Sequence, residues 1–291
     1  MLGSTRAYLI AGLIALPASG MLHLLALLGV SRTWPAMVDL MLFGWITGLI
    51  YAVNFHTMPV FSARDFPYPR LIWAQWAAWC AGVALDTAGI LAVWRGAEMA
   101  GLLLQLIAAL IFIANTTLLF LRGRRWPHRP LPPSIANQSQ VDRVGTQATK
   151  LAAVSLPLAL LLLLAVRQEW ISGSWLLAAE HLAALGWVML MIVGVAYHVL
   201  PRFSGIGTRG PAWARTQLLF HVAALALMVP ALGFAWAWAF AAGGLLMTLA
   251  LGLFAWTVWP TVQVLRSQSN TGRVTTVAAG QITIPPPKAQ R

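Results

Sequence analysis

The sequence predicts an all-α membrane fold, a polytopic bundle of eight spanning helices built as two parallel four-span repeats. Composition gives the class. The chain is 59% hydrophobic and only 9% charged, with a mean hydropathy of +0.76, whereas soluble domains carry roughly 25% charged residues. Apolar runs of about 20 residues read as spanning helices, and a β-barrel would show shorter alternating segments. A signature repeated 142 residues apart gives the two halves. The placement of arginine and lysine gives the number of spans.

The spans are expected at about 7–29, 37–60, 72–94, 99–121, 150–168, 176–200, 214–235 and 237–264. The first lacks a small-residue cleavage site and is followed by another span, so it reads as a retained helix rather than a signal peptide. The second carries the first copy of the signature. Pro67 and Pro69 punctuate the chain before the third, which holds Gln75, Cys80 and Asp86. The fourth holds Asn115. The stretch RGRRWPHRPLPPSIANQSQVDR then separates the halves, giving a first unit 1–121, a cytoplasmic linker 122–149 and a second unit 150–265. His128 in that linker reads as a solvated loop histidine. The sixth span carries the second copy of the signature, and the seventh holds Gln217 and His221. The tail 266–291 is expected to be disordered and cytoplasmic.

With eight spans both termini fall on one side. Sixteen of the 19 basic residues collect there, and only Arg32, Arg95 and Arg167 lie on the other side. That is a positive-inside pattern, and moving the count by one span destroys it. It predicts a bacterial-type inner membrane with both termini cytoplasmic. The net charge of +12 is thereby explained by the lipid bilayer and calls for no nucleic acid partner. Most of the 15 tryptophans lie near span ends, as an aromatic belt does. One cysteine, Cys80, excludes a disulfide within the chain, a CxxC metal motif and a covalent haem attachment motif.

The repeated signature carries the chemistry. The first copy, FGWITGLIYAVNFHTMPVFS, ends at Ser62, and the second, LGWVMLMIVGVAYHVLPRFS, ends at Ser204. From Asp39/His181 to Ser62/Ser204, nine of 24 aligned positions are identical. Among six histidines only His56 and His198 are mates at this offset; His181 is matched by Asp39, His221 by Trp79 and His23 by Ala165. Four spans per half relate the halves by an axis along the membrane normal. Packed beside that axis, the paired imidazoles would hold a planar cofactor from both sides, as a bis-histidine haem asks.

Depth sorts the histidines into two groups. His56, His198 and His221 belong to the cytoplasmic side, and His23 and His181, with Glu180 and Asp39 nearby, to the other. His181 and His198 are 17 residues apart, about 25 Å along a helix, and cannot share a metal ion. Each of these residues also has a plainer reading as an interhelical hydrogen-bonding group. Gly44, Gly48, Gly186 and Gly194 serve close helix packing or make room for a porphyrin face. Tyr51 and Tyr197 read as packing residues or as hydrogen-bond partners of a propionate or ligand. Arg202 either pairs with a haem propionate or is an ordinary positive-inside arginine. Asp86 either belongs to a proton route or hydrogen-bonds Thr87 or a neighbouring helix. Met21, Met58, Met189, Met191 and Met228 are core residues by default and soft copper ligands by chemistry.

At the pattern GWxxxxIxxVxxH followed by Pro and Phe-Ser, at Gly44–Ser62 and Gly186–Ser204, the chain resembles subunit I of the haem–copper oxidases in a minimal form. It is more similar to the short relatives of cbb3-type subunit I and to NnrS-type membrane proteins. The resemblance covers spans two and six well and spans three and seven loosely. It implies a membrane-embedded b-type haem held by histidines of different spans, with His56 and His198 the matching positions. Copper is the other metal that these relatives bring into consideration, and, as the chain shows no soluble cofactor domain, electrons would come from a quinol or a separate respiratory redox protein. The chain has no adjacent His-His pair and no HPEVY-like run, so a complete oxygen-reducing site is not expected.

The expected function is electron transfer or redox chemistry linked to nitric oxide or oxygen. His56 and His198 are the axial ligands of first choice. His23 and His181 are candidates for a second site, and His221 and Arg202 for positions near the first. The alternative is a membrane transporter with parallel repeats, passing a substrate or metal ion along intramembrane His and Asp side chains.

Overall fold

The computed structural model describes residues 2–125, 127 and 138–270. His128 and the tail 271–291 lie outside the described residues. The described chain is a bundle of long apolar helices. Helix α1 spans Leu2–Leu27. A second rod is formed by α2 (Thr33–Asp39), a π-helical segment (Leu40–Ile46) and α3 (Thr47–Ser62). Helices α4 (Pro69–Ala92) and α5 (Arg95–Arg122) follow as a tight hairpin. Helix α6 covers Ser139–Arg167. The next rod repeats the composite pattern, with α7 (Trp175–His181), a π-helical segment (Leu182–Met189) and α8 (Leu190–Ser204). Helices α9 (Pro211–Gly233) and α10 (Ala237–Asn270) close the described chain.

Element boundaries recur at the spacing of the sequence signature. The composite rods start at Thr33 and Trp175, their π segments at Leu40 and Leu182, and the next helices at Pro69 and Pro211, each 142 residues apart. Proline sits at the first position of both α4 and α9, where its missing N–H costs nothing. Left-handed residues end matching elements: Ala63 (φ 49°) and Gly205 (φ 73°) after the composite rods, Val93 (φ 56°) and Ala235 (φ 57°) inside the two hairpins. A β-branched residue at positive φ is unusual. At Val93 the short α4–α5 turn imposes it, with the amide of Trp94 returning to the Gly89 carbonyl at 2.8 Å.

Seven of the eight rods are long and apolar enough to cross a membrane. The eighth, α4, has 24 residues, about 36 Å of helix, but it carries Arg70, Gln75, three tryptophans and Asp86. Helix α1 turns much of its apolar surface outward, including Ile10, Leu13, Ile14 and Leu24, as a helix facing lipid does. The core is aromatic at the centre. Tyr51 meets Tyr8, Trp79, Phe112 and Trp187 at ring distances of 5.1–6.2 Å. Trp187 donates to the Thr47 hydroxyl at 2.9 Å, joining the two composite rods. Small residues permit close approach between rods: a Cβ on Gly194 would stand 2.7 Å from the Gly145 carbonyl oxygen.

The linker expected over 122–149 is partly helix. Helix α6 begins at Ser139, eleven residues before the expected span. These first turns are too polar to read as membrane-embedded, but they bury one stripe of Val141, Val144, Gly145 and Ala148, the helical period of a packed face. At the other end α10 runs through Asn270, past the expected start of the tail.

Candidate functional site

Both π segments sit in the rods that carry the paired histidines. A π segment widens the helical turn, and in each half a ring N–H from the following helix reaches a carbonyl inside it. Trp79 Nε1 donates to the Phe43 carbonyl at 2.7 Å, and His221 Nε2 donates to the Leu185 carbonyl at 3.0 Å. These four residues match at the 142-residue offset. In the first segment the Thr47 hydroxyl also donates to the Leu42 carbonyl at 2.8 Å. A carbonyl can only accept, so the His221 proton is on Nε2. Its Nδ1 is buried and makes no hydrogen bond. His221 therefore stands level with Leu185, thirteen residues from His198 on that rod, about 20 Å. It does not join His56 and His198 in one group.

At the end of the bundle away from the arginine-rich turns lies a buried ion cluster. Arg167, the last residue of α6, donates to both Asp39 and Asp86. The Arg167 side chain is 11% exposed, and the two aspartates 4% and 2%. Gln105 Nε2 donates to the other Asp86 oxygen at 3.1 Å. Asp86 thus pairs with α5 and α6 rather than with its neighbour Thr87. The cluster ties α2 and α4 to α6, across the two halves of the chain. Charges this buried persist only when paired and hydrogen-bonded.

His198 is held by α6 at the arginine-rich end. Its Nδ1 lies 3.1 Å from Asp142 Oδ1, and its Nε2 lies 3.4 Å from the Thr146 hydroxyl. That hydroxyl donates to the Asp142 backbone carbonyl at 2.9 Å, so it presents a lone pair to the imidazole. Both ring nitrogens are engaged. Arg202 forms a bidentate pair with Asp142 at 2.8 and 3.1 Å and donates to the His198 carbonyl at 2.7 Å. Its charge is thus matched by a carboxylate of this chain. Phe61 stacks on His198 with ring centroids 5.9 Å apart. His56 is exposed on α3; it is Phe61, not His56, that reaches across to His198.

The second histidine group also separates. His23 is exposed on α1, with its ring 5.9 Å from that of Trp34. His181 lines a groove of about 400 Å³ between the two composite rods, with Met37, Met41, Glu180, Leu185 and Met228. Its Nδ1 lies 2.9 Å from the Leu177 carbonyl. Nδ1 is therefore the donor, and in the neutral ring the lone pair belongs to Nε2. Metal-ligating histidines are commonly oriented by such a bond from the other ring nitrogen. The groove volume is within the range of small-molecule sites.

Other polar candidates serve local structure. Asn54 donates to the Ile50 carbonyl at 2.8 Å, and the Tyr197 hydroxyl to Gln217 Oε1 at 3.2 Å. Gln75 is fully buried and interacts with the Tyr51 hydroxyl, and the fully buried Asn115 side chain has no hydrogen-bond partner among the described residues. Sequence reasoning placed Asp142 in a linker and Arg167 among span-end charges, so it missed both as organisers of the polar interior. The available signal was scarcity: only seven acids stand among 291 residues, and a buried carboxylate in an apolar bundle needs a cation.

Among the described residues no three His, Cys, Asp or Glu side chains gather as a metal-binding group. No protein-family model matches the chain, and no curated protein matches it.

Proposed function

We propose that the protein is a haem protein of a bacterial-type inner membrane, serving electron transfer or redox chemistry linked to oxygen or nitric oxide. In this reading it has eight spans in two parallel four-rod repeats, with both termini cytoplasmic. The shared 142-residue spacing of element boundaries supports the duplication. The one-sided arginines support the orientation.

His181 carries the functional reading. It combines an Nε2 lone pair, an Nδ1 fixed on the Leu177 carbonyl, and a position on an apolar groove between the two π segments. His181 would hold a flat apolar group that takes an imidazole ligand, and b-type haem is such a group. When bound, haem supplies a one-electron couple. Met37, Met41 and Met228 line the same groove with polarisable thioethers. The same imidazole and thioethers suit copper as a second metal. Among the rest, His198 is turned to Asp142 and Thr146, which supports a structural role. The electron donor would be a quinol or a separate redox protein.

A transporter needs a polar passage between its halves. The walls of the His181 groove, apolar apart from Glu180 and His181, and the paired charges of the Arg167 cluster favour the haem reading over it.

The test is a visible spectrum of the purified full chain, oxidised and reduced, after expression with ample haem. A Soret band that is lost or shifted in His181→Ala and retained in the His56→Ala/His198→Ala double variant is expected. No Soret band in the wild type sinks the haem reading. A band lost only in the double variant moves the haem to that pair.

A further inference from the structure

A second groove, of about 490 Å³, opens between α6 and α9. Its walls include two cations, Lys150 and Arg215, the amide of Gln147, and an apolar floor of Leu218, Leu219 and Val222. The cations come from different helices and stand at the same level of the bundle. Lys150 is the last charged residue of the polar first turns of α6, and Leu151 opens an apolar run that continues to Val166. Arg215 lies in the second turn of α9, two residues after Trp213. Trp213 and Trp256 approach at 6.5 Å, and the Arg209 guanidinium covers Trp256 at 3.7 Å. Tryptophans grouped with arginine in this way mark the headgroup level of a bilayer.

The described ion pairs occupy Arg95, Arg167, His198 and Arg202, not Lys150 or Arg215. Both of these cations are exposed. The floor continues from Arg215 at three, four and seven residues along α9, which is one helix face. Leu219 is 66% exposed, so this face is open to lipid. The groove therefore joins a doubly cationic mouth at headgroup depth to an apolar trough about 10 Å long, which lies at acyl-chain depth. A zwitterionic lipid leaves this pair of charges uncompensated. A soluble protein would not reach the floor.

We infer that this groove is a specific site for an anionic phospholipid. The phosphate lies between Lys150 and Arg215, Gln147 donates to a headgroup oxygen, and an acyl chain follows Leu218 and Val222. Basic pockets between spanning helices are suited to such headgroups. This inference depends on the membrane fold alone, not on the haem reading.

The experiment uses the full chain in phosphatidylcholine nanodiscs, with and without phosphatidylglycerol or cardiolipin. Bound lipid is counted by native mass spectrometry, and thermal unfolding is followed in parallel. The wild type should retain about one anionic lipid per chain and unfold at higher temperature when that lipid is present. K150Q/R215Q should weaken retention roughly 30-fold, from about one kcal/mol per basic residue at the surface. A control variant, R6Q/R266Q, removes two exposed charges elsewhere and should bind as the wild type does. Unfolding of each variant in pure phosphatidylcholine verifies the fold; K150M/R215M is the replacement if the glutamine pair fails to fold. Equal loss in the control variant, unchanged retention in K150Q/R215Q, or full displacement by millimolar inorganic phosphate would each overturn the lipid site.

Discussion

Trp79 and His221 occupy the same position in the two halves of the chain and form the same bond. Each places a ring N–H on a carbonyl within the π segment of the preceding rod, Phe43 in one case and Leu185 in the other. The chemistry of the two rings differs, but the demand of the backbone is the same. A π turn presents a carbonyl to the bundle interior, and burial requires a donor for it. This gives His221 a structural reason to be a histidine.

Trp79→Phe and His221→Phe should each lower stability by about 1–3 kcal/mol, the cost of an unsatisfied buried acceptor. Thermal unfolding in nanodiscs measures the loss. His221→Phe should leave any Soret band unchanged. If that band disappeared while the protein stayed folded, His221 would be a ligand rather than a donor to Leu185.

Removing the cation from the buried cluster should be more costly. Arg167→Met leaves Asp39 and Asp86 without their shared partner, at about 3–5 kcal/mol. Adding Asp39→Asn and Asp86→Asn to that variant should recover most of the loss. A triple variant no more stable than the single one would show that the cluster contributes by geometry rather than by charge balance.

Asp142 holds two groups at once, His198 and Arg202. Asp142→Asn should cost about 1–3 kcal/mol and free the Arg202 side chain, with no effect on a visible spectrum. A spectral change in this variant would tie His198 to the cofactor after all.

Gly194 faces Gly145 with no room between the backbones. Gly194→Ala should overpack the α6–α8 contact and cost about 1–3 kcal/mol. Gly244→Ala, whose added carbon meets nothing within 4 Å, is the control and should be neutral or slightly stabilising.

The parts of this architecture legible in sequence were those set by local composition. Hydropathy found the rods, because each must hide its own backbone from lipid. Prolines such as Pro67 and Pro69 punctuated the turns, whereas the positive-φ turn residues Ala63, Val93 and Ala235 carried no sequence signal. At the 142-residue offset found from the two signatures Gln75 is matched by Gln217, and both are fully buried. What stayed hidden depends on packing. The pairing of Arg167 with Asp39 and Asp86 joins residues 128 and 81 positions apart, and no local pattern announces it. The polar turns over 139–149 conceal a buried stripe that hydropathy averages away. The π segments are written in ordinary helix-forming residues. Identity of type between His56 and His198 did not translate into likeness of environment, because Asp142 and Thr146 stand beside one and the other is exposed.

The position of Arg167 has a consequence for biosynthesis. A ribosome delivers Asp39 and Asp86 to the membrane long before the fifth rod, whose final residue is their counter-ion. During that interval Asp39 and Asp86 lack the guanidinium that they share in the folded chain, and Asp86 has the Gln105 amide of the leading half as its partner. Docking of α6 then becomes the step that commits the two halves to one another, and a chain stopped after residue 125 would be a natural substrate for membrane proteolysis rather than a stable half-protein.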